Sequence, residues 1–308
     1  MIALVNPHAG AGSGLTRWQR IEPLMRERFG DLRAVILDRP AAITSALRGA
    51  IRSGDTRIIA AGGDGTVNAV VHALLSGPQE YALACELGAI GLGSSNDFHK
   101  PFAASEMVDG LPARLNFAAA TRCDAGRVIL TLRGVTSTRH FLLNASAGIT
   151  AEGNRRFNHP GPVLGLLKKI SVPAAIAYAA ITALAGYTNT PVRLTIPGSG
   201  TIALALTNLG IVKTPYFSGD LHYDIARDYT NGRFGVVACE QMNVPQRLAL
   251  FRALTRGSIA HLAHVRSWSV PEAFLSAARP LPIEFDGETA LAETAHFSVV
   301  PQALKVCP

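Results

Sequence analysis

The sequence predicts an α/β domain, a parallel sheet flanked by helices, followed by a β-rich, sandwich-like domain with helical insertions. Three observations carry this. Strand and helix patterns alternate over the first hundred-odd residues, and each of three strands runs into a polar, glycine-bearing turn. Near Arg122 the texture changes to short β-type runs bounded by glycine, proline or asparagine. At 308 residues, with 48% apolar and 17% charged residues, the chain is long enough for two cores and too apolar for disorder. The expected domains are 1–120 and 121–308.

The elements of the first domain follow in order. Ile2–Val5 reads as a strand and ends in Asn6-Pro7-His8-Ala9-Gly10-Ala11-Gly12-Ser13-Gly14. Leu15–Phe29 places Trp18, Ile21, Leu24, Met25 and Phe29 near helical spacing. Ala34–Leu37 is a second strand, Ala42–Ile51 a helix, and Ile58–Ala61 a third strand. A further strand ends at Ile90-Gly91-Leu92, before Gly93-Ser94-Ser95-Asn96-Asp97-Phe98. In such sheets ligands bind beyond the strands' C-terminal ends, where the turns Asn6–Gly14, Gly62–Thr66 and Gly93–Asp97 all fall.

In the second domain the β-type runs are 126–132, 140–143, 192–196, 201–207, 234–239, 281–285 and 296–300. Helical patterns interrupt them at Val163–Tyr187 and Pro245–His264. The stretch Ile170–Gly186 is apolar but alanine-rich and broken by Ser171, Pro173 and Thr182, which favours a buried or interdomain helix over a membrane span. Pro245–His264 mixes Leu248, Phe251, Leu254, Ile259 and Leu262 with three arginines. That pattern suits a helix packed on the domain, or an interfacial helix on anionic lipid.

Charge and cysteines narrow the function classes. The net charge of +7 is carried mostly by arginine, since lysine occurs only at 100, 168, 169, 213 and 305; it suits anionic partners. The charges are scattered, without the aromatic interleaving of a nucleic-acid platform, so no nucleic acid is expected. Cys85, Cys123, Cys239 and Cys307 form no C-x-x-C pair, which argues against a zinc site or a disulfide framework. Met1 leads straight into a strand with no basic leader, and the expected location is the cytoplasm.

The most informative stretch is Gly62-Gly63-Asp64-Gly65-Thr66-Val67-Asn68, set between Ile58-Ile59 and the helical Val70-Val71-His72-Ala73-Leu74-Leu75. Glycines allow close backbone approach, and the helix start turns unpaired N–H groups toward an anion. Asp64 either caps this helix or helps hold Mg²⁺ against a polyphosphate.

Five segments follow one another along the chain: Asn6-Pro7-His8-Ala9-Gly10, Gly62–Thr66, Leu92–Phe98, Asn144-Ala145-Ser146-Ala147-Gly148 and Asp286-Gly287-Glu288. Together they resemble the diacylglycerol kinase catalytic-domain family, which includes bacterial lipid kinases and the sphingosine and ceramide kinases. The resemblance implies an NAD-kinase-like nucleotide-binding domain and ATP- and Mg²⁺-dependent transfer of a γ-phosphate to a lipid hydroxyl, diacylglycerol-like or sphingoid, in the interdomain cleft. It implies nucleotide contacts from Asn6, Gly10, Gly62, Gly63, Asp64, Gly65, Thr66, Asn68, Ser94, Asn96 and Asp97, with Asp64 also near Mg²⁺. Glu288 is the implied general base and Asp286 its assistant or a Mg²⁺-positioning group; in a strand the two would share a face, and in a turn at Gly287 they could still converge. Asp220 falls where bacterial members hold a structural Mg²⁺. A soluble enzyme of this kind takes its substrate from a bilayer, so peripheral contact with the inner membrane face is expected.

Two departures stand out. Ala11–Thr16 lacks the lysine many relatives carry in the first loop, leaving Arg17 or Arg20 as substitutes, and Asp38-Arg39-Pro40 differs from the relatives' nucleotide-contacting segment. The rival enzyme is an NAD kinase, which also uses a Gly-Gly-Asp-Gly turn; the Leu92–Phe98 and Asp286–Glu288 segments favour lipid. A third reading is a non-catalytic nucleotide- or lipid-binding regulator.

Overall fold

The computed structural model describes residues 1–37, 39, 42–100, 106–218, 221–224 and 228–308. Asp220, Asp38 and Pro40 lie outside the described residues. The chain forms two units that interleave in sequence: Met1–Ala125 with Tyr229–Asn231 and Val300–Pro308, and Gly126–Asp228 with Gly232–Val299.

In the first unit, β1 (Ile2–Val5) leads into α1 (Ala9–Gly12), a single turn distorted by positive φ at Gly10 and Ala11, and then α2 (Gly14–Arg28). β2 (Arg33–Ile36), α3 (Ala42–Arg52), β3 (Arg57–Gly62), α4 (Asp64–Ser76), α5 (Gln79–Ala84) and β4 (Glu86–Gly91) follow. The four strands are parallel in the order β2-β1-β3-β4. Alternation of strand and helix makes this arrangement natural, because parallel neighbours need a crossover. β5 (Glu106–Val108) and β6 (Leu111–Arg114) form a hairpin whose second strand runs antiparallel to β4. Ile58 to Ala61 are all fully buried, as expected of a strand covered on both faces, and Trp18, Ile21 and Met25 of α2 pack into the same core as Ile59 and Ile90.

The second unit is antiparallel. Its strands are β7 (Thr121–Leu132, entering from the first unit), β8 (Val135–Phe141), β9 (Asn144–Gly148), β10 (Thr190–Ile196) and β11 (Gly200–Val212). The minor pair β12 (Tyr216–Phe217) and β13 (Leu221–His222) precedes β14 (Phe234–Glu240), β15 (Val265–Val270), β16 (Glu272–Phe285) and β17 (Glu288–Val306). The main order is β15-β14-β11-β10-β16-β17, and β9 pairs with both β11 and β16 beyond the end of β10. Leu194, Leu206, Ile211, Val236, Leu275, Ile283 and Phe297 form its core. The last residues of β17 run parallel to β4, in the first unit.

Between β9 and β10 lie three helices: α6 (Ile149–Asn158), which the sequence reading did not list, and α7 (Pro162–Ile170) and α8 (Val172–Gly186), into which the expected single stretch Val163–Tyr187 divides. Ser171 causes the break: its hydroxyl accepts from Ala174 N at 3.3 Å and caps α8. Of the two alternatives expected for this stretch, a buried or an interdomain helix, the first is corrected: among the described side chains of α8 only Ala175, Ala179, Ala183 and Leu184 are buried, while Ile181 is 63% exposed. No described helix is long and apolar enough to cross a membrane. The second insertion is α9 (Val244–Leu254), closed at its start by a capping box between Asn243 and Gln246.

Candidate functional site

In the first unit three turns meet at the C-terminal ends of β1, β3 and β4. They are joined edge to edge: Asn6 N donates to Ala61 O at 2.9 Å, and Leu92 N to Gly62 O at 2.8 Å. The Asn6 side chain donates from Nδ2 to Thr66 Oγ1 at 2.9 Å, tying the first turn to the first turn of α4. Glycine is required where the turns touch. A Cβ on Gly93 would lie 2.5 Å from the Gly63 Cα, and one on Gly10, at φ +57°, would lie 2.6 Å from the Leu92 carbonyl.

α4 starts at Gly63 without a side-chain cap, so the sequence alternative of Asp64 as a helix cap is not what forms. Instead Asp64 Oδ1 accepts the Phe98 N–H at 2.9 Å, which orders the third turn against the second. The uncapped first turn directs its N–H groups outward, with the positive end of the helix dipole behind them. Gly65 is exposed beside it, whereas Thr66 and Asn68 are buried and face the protein.

In the third turn Asn96 adopts left-handed φ of 49° and folds its side chain back, accepting from Gly93 N at 3.0 Å and donating to Gly93 O at 3.2 Å. Ser94 is exposed, and Asp97 is buried with Lys100 Nζ 2.7 Å from its Oδ1. The two arginines raised as lysine substitutes part ways. Arg17 Nη1 donates to Leu92 O at 3.0 Å, at the turns, while Arg20 is exposed and paired with Asp109 at 2.5 Å. Sequence reasoning passed over Arg114. It is buried, donates to the Phe98 and Cys307 carbonyls at 2.9 and 2.7 Å, and stacks its guanidinium 4.0 Å over the Phe98 ring. His99 beside it is also buried, with no partner for Nδ1 among the described residues; desolvation, and then the Arg114 charge, push its pKa down to about 3.

The second constellation belongs to the second unit. Asp286 and Gly287 form the two-residue turn between β16 and β17, with φ of 47° and 90°, the combination that a type I′ hairpin demands. The turn gives Asp286 and Glu288 different environments. Asp286 is buried, and its carboxylate accepts three backbone N–H groups: Leu142 at 2.8 Å, Leu143 at 2.9 Å and Asn144 at 3.1 Å. Glu288 is exposed, and among the described residues its carboxylate has no recorded partner.

Glu284, which the sequence reading missed, completes this arrangement. It is 4% exposed, accepts from Ser146 Oγ at 2.7 Å through Oε2 and from Gly287 N at 2.7 Å through Oε1. The Asn-x-Ser-x-Gly segment thereby acquires a physical reason. The Asn144 carbonyl accepts the Asp286 N–H at 3.0 Å while its own N–H donates to the Asp286 carboxylate, and its side chain donates to Tyr216 O at 3.1 Å; Ser146 anchors Glu284. Gly148, at φ +93°, sits where a Cβ would be 2.4 Å from the Thr207 carbonyl. The two segments are one hydrogen-bonded body. The available signal was a second acid two residues before Asp286.

Comparison with known proteins finds matches over both parts of the chain. Residues 1–128 match the diacylglycerol kinase catalytic domain, and residues 144–308, more than half of the chain, match the YegS C-terminal NAD kinase beta sandwich-like domain. The chain belongs to the family of the YegS C-terminal NAD kinase beta sandwich-like domain, which covers more than half of it, and carries ahead of that a segment matching the diacylglycerol kinase catalytic domain. A curated relative from Streptococcus pneumoniae serotype 4, named "Putative lipid kinase", is 27% identical over 126 residues, 41% of this chain. That match spans 42% of the relative's own length. Two solved structures from Bacillus anthracis, both titled as "a putative diacylglycerol kinase", are similar over 99% of this chain. The first has a TM-score of 0.73 at 17% identity and is covered over 94% of its length; the second has 0.72 at 16%, over 96%. The fold is therefore that of this family: an α/β nucleotide-binding type of domain and an NAD-kinase-like β-sandwich.

Proposed function

We propose that this chain is an ATP-dependent kinase that transfers the γ-phosphate to a lipid hydroxyl, diacylglycerol-like or sphingoid. The observation that carries the reading is the division of labour in the Asp286–Glu288 turn. Glu284 and Asp286 spend their oxygens on the protein's own donors, and Glu288 is left exposed at the start of β17 as a carboxylate without a partner among the described residues. A base must be uncommitted before substrate arrives, and one that takes the alcohol's proton is worth about 10²–10⁴-fold. Asp286 then acts as a positioning residue.

The nucleotide role goes to residues 1–120 and the lipid role to 121–308. The glycine turns and the α4 N-terminus supply N–H groups for phosphate oxygens, and Asn6, Asn96 and Arg17 hold those turns together. Asp64 would offer Mg²⁺ a hard oxygen beside the glycine turn, since this cation binds through one or two carboxylates plus substrate phosphates and water, whereas Asp97 is paired with Lys100. When bound, Mg²⁺ would neutralise charge on the transferring phosphoryl group.

The test is incubation with γ-labelled ATP, Mg²⁺ and micelles of candidate lipids, with NAD in a parallel tube. Label is expected in the organic phase, and the labelled species names the acceptor; label in NADP would replace this reading with the dinucleotide kinase. Glu288→Gln should abolish turnover with nucleotide affinity little changed, and near-normal turnover would remove Glu288 from the mechanism.

A further inference from the structure

The segment 149–186, inserted in the second unit between β9 and β10, presents apolar surface where a helix normally carries charge. α8 has no charged residue. Its inward stripe, Ala175, Ala179 and Ala183, is buried, yet its outward side is also apolar, with Tyr178 38% and Ile181 63% exposed. On neighbouring α7, Val163, Leu166 and Ile170 recur at helical spacing and are 57%, 60% and 72% exposed. A helix that is apolar all round belongs in a core or in lipid, and a solvent-facing stripe would be polar.

We propose that the outer faces of α7 and α8 form the surface by which this protein docks on an anionic lipid bilayer. The inference deepens the lipid-kinase reading and rests on it for the biological setting. Two observations select the occupant. The segment carries Arg155, Arg156, Lys168 and Lys169 against a single acid, Glu152, which already pairs with both arginines. Lys168 reaches back to the Phe157 carbonyl and ring, whereas Lys169 is exposed on α7 beside Leu166 and Ile170. Apolar side chains bordered by cations match the layering of acyl chains beneath anionic headgroups. The face is also small. Helices of nine and fifteen residues are about 14 and 22 Å long and present roughly 360 Å² on one side, well under the ~800 Å² per partner of a stable protein interface. A lipid surface has no such minimum.

The experiment is co-sedimentation of the full chain, without ATP, with vesicles of phosphatidylcholine alone or mixed with phosphatidylglycerol. The wild type should pellet with the mixed vesicles. Leu166→Glu combined with Ile181→Glu should weaken this by about tenfold or more, since each removes a partly exposed apolar side chain from the contact. Lys169→Glu should weaken binding to the anionic vesicles only. Both positions of the double variant face solvent, so its melting temperature and its phosphorylation of a short-chain, water-soluble diacylglycerol should match the wild type. Failure of the wild type to pellet, or equal pelleting by the double variant, overturns the proposal. So does self-association in solution that the double variant abolishes while vesicle binding persists. Pelleting without any phosphate transfer would uphold the surface and refute the kinase.

Discussion

Asp286 separates architecture from chemistry more cleanly than any other residue. Asp286→Ala deprives Leu142, Leu143 and Asn144 of the acceptor that each now has at 2.8–3.1 Å. A buried donor left without a partner costs about 1–3 kcal/mol, so three give roughly 3–9 kcal/mol. Alanine at φ +47° adds about 1 kcal/mol, because aspartate tolerates that region better. Gly287 next door is exposed, so water can relieve part of the loss and the low end, about 4 kcal/mol, is expected. Asp286→Asn keeps one carbonyl oxygen, which can still serve Leu143 and Asn144, but opposes an amide to the Leu142 N–H; it should cost about 2 kcal/mol. Hydrogen exchange resolves this site by site: the amides of 142–144 should lose protection in both variants, alanine more than asparagine, and the urea midpoint should fall in the same order. Unchanged protection and midpoint alongside lost turnover would refute the argument and return Asp286 to direct chemistry.

Other predictions concern the first unit. His99 is neutral when folded, with a pKa near 3 against the usual 6.5, so the unfolded chain alone takes up a proton as pH falls through that window. Stability should therefore drop by about 2 kcal/mol between pH 6.5 and pH 5, and His99→Phe should flatten the melting temperature over that range. Gly93→Ala must push the second and third turns apart, since its Cβ would sit 2.5 Å from a backbone atom; a fluorescent ATP analogue should bind at least about tenfold more weakly, the equivalent of about 1–3 kcal/mol of overpacking. Arg17→Ala should raise the KM for ATP by roughly ten- to hundredfold, matching the ~1.5–3 kcal/mol of a charged hydrogen bond, while Arg20→Ala, remote in its Asp109 pair, should leave it unchanged.

What could be read in the sequence was whatever depends on local chemistry. Strand-to-glycine-turn boundaries are set by residues adjacent in the chain, so the Gly62–Thr66 and Leu92–Phe98 turns were legible, as was the Asp-Gly pair that makes the β16–β17 hairpin. What escaped depends on distant partners. Nothing near Lys305 announces that the chain's end returns to lie beside Glu86 in the first unit's sheet. Arg114 looks like any of the chain's many arginines until Phe98 and a carbonyl 193 residues away enclose it. α8 misled for the opposite reason: its composition is that of a core helix, and only tertiary placement shows that one side of it is uncovered.

The same logic explains why the two motifs of the second unit must be kept together. A general base works only if it is positioned without being consumed. For Glu288 in the role proposed for it, the sequence meets both needs by spacing three acids at every second residue around one tight turn: Glu284, Asp286 and Glu288. The hairpin reverses direction between the second and third, so the first two turn inward onto Ser146 and the 142–144 backbone while the third emerges exposed. Lengthening the turn by one residue would shift the pairing of Phe285 with Glu288 and turn that carboxylate to the other face. Insertion of a glycine after Gly287 should therefore cost turnover much as Glu288→Gln does, while leaving all three acids in the chain. Retained turnover in the insertion variant would show that register is not what aims the base.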